Sequence, residues 1–158
     1  MNWLTNSPEE TRHLAQQIGA LLKPEDIVVL TGDLGAGKTT FVQGLARGLG
    51  IDTTKNPVTS PTYQIMRHHN GPTPLFHYDA YRLENAEEFG DIEGGDHMGA
   101  RGVVAIEWGE RIEEFLPNDT VRVEIRHLEQ ESRAITLHPG ERSSQIRARL
   151  ELLNDSSE

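Results

Sequence analysis

TGDLGAGKTTF, residues 31–41, is entered directly from the apolar run Ile27-Val28-Val29-Leu30. A chain that leaves a buried strand and at once gives up side chains needs bare backbone for something. Gly32, Gly35 and Gly37 allow conformations closed to other residues and let main-chain amides approach a bulky anion. The segment matches G-x-x-x-x-G-K-[ST] in full, from Gly32 through Asp33, Leu34, Gly35 and Ala36 to Gly37, Lys38 and Thr39. A strand before it and an amphipathic helix after it are the context that pattern requires. The helix opening at Lys38 adds the positive end of its dipole. Lys38 is placed to reach the β- and γ-phosphates of a nucleotide, and Thr39 to offer its hydroxyl to Mg2+.

The composition narrows what surrounds this cradle. The chain has 158 residues, enough for one domain with its own core, here 1–158. Its formal net charge of −10 argues against a broad basic face that grips nucleic acid directly. With no cysteine there is neither a disulfide nor a thiolate metal site. No apolar run nears the roughly 20 residues of a membrane helix. MNWLTNSPEE lacks the order of a signal peptide, so a soluble cytoplasmic protein is expected.

The rest of the chain reads as a single α/β domain with a mixed central sheet flanked by helices. Ser7-Pro8-Glu9-Glu10 predicts a capped helix whose apolar face is Leu14, Ile18, Leu21 and Leu22. Ile27–Thr31 shows no polar alternation, which predicts a strand buried on both faces. A second helix is predicted over Lys38–Leu49, stopped by Gly50. TYQIMRHH and PLFHYD predict a hairpin around Asn70-Gly71. A short helix is expected near residue 86, followed by a mobile acidic loop, then the strand GVVAIE. Glu110–Leu116 predicts a helix ended by Pro117. TVRVEIRHL and RAITLHP predict antiparallel neighbours. Ile146, Leu150 and Leu153 predict a last helix, with a frayed tail after about residue 153.

Mg2+ takes hard oxygen ligands and keeps several waters. Thr39 therefore needs an acid at the end of a neighbouring strand. Asp79 ends LFHYD and Glu107 ends VVAIE, both where α/β sheets bind ligands. Both are assigned to the metal and water shell. Which one ligates directly stays open. His68, His69 and His77 lack zinc-site spacing: His68 and His69 are expected solvated in the hairpin loop, His77 packed on the sheet.

Four segments together, GDLGAGKTTF at 32–41, SPTY at 60–63, HYDAYRL at 77–83 and IEWGER at 106–111, resemble the TsaE (YjeE) family in order and spacing over about residues 5–140. That family is the small ATPase of the bacterial machinery that makes threonylcarbamoyladenosine on tRNA. The resemblance implies ATP with Mg2+ in a cradle that extends to Thr40, and Trp108 near the nucleotide. It implies a catalytic group of Lys38, Asp79 and Glu107, with Thr39, Glu107 and Asp79 around the metal. Ser60–Tyr63 would move with nucleotide state, with Thr62 a candidate γ-phosphate sensor. The implied partners are TsaD and TsaB, with tRNA reached only through them, and hydrolysis weak in isolation.

A small P-loop kinase is the alternative. It needs an acceptor pocket and usually an arginine-rich lid. The arginines that follow the second helix, such as Arg67, Arg82, Arg101 and Arg111, are scattered and form no clustered lid. A module that holds nucleotide without turning it over is disfavoured by the joint presence of Lys38, Thr39, Asp79 and Glu107.

Overall fold

The computed structural model describes residues 2–33, 37–55, 57–58, 66–80 and 102–156. Seven strands form one mixed sheet in the order β1-β7-β6-β2-β5-β4-β3. They are β1 Asn2–Thr5, β2 Ile27–Thr31, β3 Met66–His69, β4 Leu75–Asp79, β5 Val103–Glu107, β6 Val121–His127 and β7 Arg133–Leu137. The four central strands, β6, β2, β5 and β4, run parallel. Antiparallel pairs close both sides, β6 with β7, β7 with β1, and β4 with β3.

Strand β2 alternates between two apolar clusters, as the period of two requires. Val28 and Leu30 face α1 (Pro8–Gly19) and α2 (Lys38–Gly48) with Leu14, Ile18, Phe41 and Leu45. Ile27 and Val29 face the other side with Val104, Ile106 and Ile112. Burial of Ile27–Leu30 on both faces agrees with its unbroken apolar run. The last helix, α3 (Glu141–Asp155), packs on α1 and β6.

Helix α1 begins as its sequence predicts. Ser7 Oγ accepts from Glu10 N–H at 3.1 Å. The Glu10 carboxylate reaches back to Asn6 N–H, one residue before the cap. Helix α2 stops at Gly48, with Gly50 two residues on at φ 83°.

Several expectations are corrected. Strand β1 is absent from the sequence reading, because four residues on a sheet edge carry no decisive alternation. His69 lies in β3, paired with Leu75, and is buried. The hairpin loop starts only at Asn70. His68 is paired with Phe76 and stacks on its ring, with centroids 4.7 Å apart. The helix expected over Glu110–Leu116 is present as a 3-10 helix, Gly109–Phe115, interrupted at Ile112 (φ −126°). Leu153 is exposed while Ile146 and Leu150 are buried, and α3 continues through Asp155. The short helix and acidic loop expected between residues 84 and 100 lie outside the described residues. Among the described residues no helix is long and apolar enough to cross a membrane.

Candidate functional site

The sheet brings three chain segments to one edge. β2, β4 and β5 are parallel, so their carboxyl ends emerge together, and α2 starts beside them. Gly37 caps α2 with φ 105°, a left-handed conformation that a side chain would strain. No side chain caps this helix, so its first amide groups stay available to an anion. Leu34, Gly35, Ala36, Ser60–Tyr63, Tyr81 and Arg82 lie outside the described residues.

Lys38 is only 5 % exposed, unusual for a lysine. Its Nζ donates to the carbonyls of Gly32 at 2.5 Å and Asp33 at 3.1 Å. It also stands 3.7 Å from the centre of the Trp108 ring. The ammonium is thus held inside the turn by carbonyls and an aromatic face. Trp108 is half-buried against the second apolar cluster.

Thr39 projects from the first turn of α2 toward β5. Its hydroxyl donates to Glu107, lying 3.3 Å from both Oε1 and Oε2. Asp79 is the direct register neighbour of Glu107 on β4. Both acids are buried. A hydroxyl and two carboxylates at adjoining strand ends form the hard-oxygen donor set that Mg2+ accepts together with water. Among the described residues no group of three or more His, Cys, Asp or Glu is arranged to hold a metal ion.

Two side chains at this edge escaped sequence reasoning. His77, on β4, has Nε2 2.5 Å from Glu107 Oε2 and is fully buried. It was expected to pack on the sheet, and it does, but with a polar partner. The signal was its spacing of two from Asp79, which puts both on one face of the strand. Arg133 opens β7, and its Nε lies 3.5 Å from where a Cβ on Gly37 would sit. With Gly37, Thr40, Pro8, Thr11 and Glu131 it lines a small pocket. Nothing local links Arg133 to a loop nearly a hundred residues earlier.

The model of a protein family described as threonylcarbamoyl adenosine biosynthesis protein TsaE matches residues 5–135. The chain belongs to the TsaE family. The TsaE protein of Bacillus subtilis (strain 168) is 42% identical over 137 residues, covering 86% of this chain and 84% of that one. The TsaE protein of Treponema pallidum (strain Nichols) is 41% identical over 137 residues, covering 87% and 99%. The crystal structure of Bacillus subtilis YdiB superposes with a TM-score of 0.76 at 33% identity, covering 98% of this chain and 95% of that one. The mixed α/β fold of a TsaE protein is therefore the fold of this chain.

Proposed function

We propose that this TsaE-family chain is a Mg2+-dependent ATPase subunit serving threonylcarbamoylation of adenosine in tRNA, acting with TsaD and TsaB. The observation that carries the nucleotide reading is the convergence of Lys38, Thr39 and Glu107 at an uncapped helix start. Main-chain amides between Gly32 and Thr40 would cradle the phosphates, with Lys38 supplying the cation. Lys38 then exchanges carbonyl partners for phosphate oxygens, a stronger, charge-assisted contact. Mg2+, when bound, supplies positive charge that neutralises the phosphate oxygens as the terminal bond breaks. Thr39 and Glu107 are assigned to hold it, because these two already share a hydrogen bond. Asp79 would act from the next strand, through a water or by orienting the attacking water. Catalysis here is positioning and charge, so hydrolysis is slow until a partner completes the site.

Calorimetric titration with ATP and Mg2+ tests the cradle. Binding should be lost in Lys38→Ala, and unchanged affinity in that variant would remove the reading. Glu107→Ala should lose the Mg2+-dependent part of binding. Asp79→Ala should keep binding and lose turnover, and the reverse pattern would exchange their roles. Phosphate release should rise when TsaB and TsaD are added. Label transfer to a small acceptor would instead mark a kinase.

A further inference from the structure

Glu107 is gripped from two sides. Thr39 holds it from α2, and His77 holds it from β4 at 2.5 Å. The carboxylate only accepts, so the proton in the second contact sits on His77 Nε2. His77 Nδ1 is buried and has no hydrogen-bond partner among the described residues. The neighbours of His77 are Leu75 and Asp79 on its own strand, Ala105 across from it on β5, and Arg67 and His69 on β3, with the His69 ring 6.4 Å away. An apolar side chain would fill that place without burying an unsatisfied nitrogen. The imidazole therefore does something that packing does not require.

We propose that His77 is a positioning residue for the metal site. Its Nε2–H locks the Glu107 carboxylate in the one orientation that faces Thr39, so the two oxygen donors are preset before the cation arrives. This rests on the Mg2+·nucleotide reading above. When Thr39 turns its hydroxyl oxygen to a cation, Glu107 keeps a donor that does not leave. Partners of this kind, one bond behind a ligand, typically change metal affinity about tenfold to a hundredfold.

The test uses ADP, to exclude turnover, and calorimetry with and without Mg2+, with EDTA in the metal-free arm. In His77→Leu the metal-free ADP affinity should hold within about twofold, while the gain from Mg2+ falls at least about tenfold. Tm should fall modestly, because the buried Glu107 carboxylate loses a donor, so the deciding readout is the Mg2+ gain relative to the metal-free affinity. His77→Gln can donate N–H from a similar place and should recover most of the gain. It also serves if His77→Leu folds poorly. An undiminished Mg2+ gain in both variants overturns the proposal. So does a joint fall of both affinities with Tm, which would mark packing alone, and so does a Gln variant no better than Leu. If the wild-type protein binds ADP with no gain from Mg2+, the metal reading itself fails, and this proposal with it.

Discussion

His69 shows how one buried ring sets a pH dependence. Burial, chiefly, with the neighbouring His77, Arg67 and His68, lowers its pKa from 6.5 to about 4. Above pH 6.5 the ring is neutral in both folded and unfolded chains and adds no slope. Between about 6.5 and about 4 the unfolded chain takes up a proton that the folded ring refuses, so stability falls as pH falls. Below about 4 both states are protonated and the slope ends. Roughly 3 kcal/mol is at stake over this window. Urea unfolding at pH 7.5 and pH 4.5 should show a smaller acid loss in His69→Leu than in the parent protein. Equal losses would mean the ring is solvated in the fold. The residue scale is also where sequence reading was least complete. Thr39, Asp79 and Glu107 were legible from strand ends and a motif. The sides of a strand on which His69 and His77 meet other strands depend on register, which no local pattern encodes.

Helices α1 and α2 pack more closely than their leucines alone would allow. A Cβ on Gly44 would stand 2.3 Å from Arg12 O, one on Gly48 2.3 Å from Gln16 O, and one on Gly19 2.5 Å from Leu45 O. Backbone meets backbone here, so no rotamer change relieves a larger side chain. Gly44→Ala should push α2 off α1 despite its better helix propensity, because overpacking outweighs the ~1 kcal/mol of propensity gained. The expected net cost is about 2 kcal/mol, a fall in Tm of roughly 6 °C, read by calorimetry. Since α2 begins at Lys38, ATP affinity should weaken in the same variant. A Tm equal to or above the parent's would show that the helices can separate freely. Helix existence was legible from Leu14, Ile18, Val42 and Leu45 at helical spacing. Their crossing was not, since Gly44 and Gly48 read only as weak spots within α2.

Across the molecule, one ion pair ties the last helix to the loop before β2. Arg142 donates to both oxygens of Asp26, its Nε at 3.0 and 3.1 Å, and its Nη2 also reaches Leu21 O at 2.6 Å. The two side chains are 14% and 11% exposed. Removing one partner leaves a desolvated charge, so Arg142→Ala should cost about 3 kcal/mol. The more exposed Arg122–Glu113 pair, at 32% and 54%, should contribute under about 1 kcal/mol. Urea unfolding of Arg142→Ala and Arg122→Ala ranks them, and equal effects would show Arg142 to be solvent-screened.

By itself, the sequence determined the glycine-rich segment after β2, the strand buried on both faces that leads into it, and the acids that end β4 and β5. Those features rest on local chemistry: glycine where backbone must be bare, unbroken apolar runs where both faces are covered, and a charge where a strand stops. The tertiary structure alone decided that His77 stands behind Glu107, that Arg133 lies beside Gly37, and that an edge strand precedes α1. Such contacts join residues tens of positions apart, and they exist only once strand order and register are set. Those are chosen by the summed packing of the whole sheet, not by any single segment.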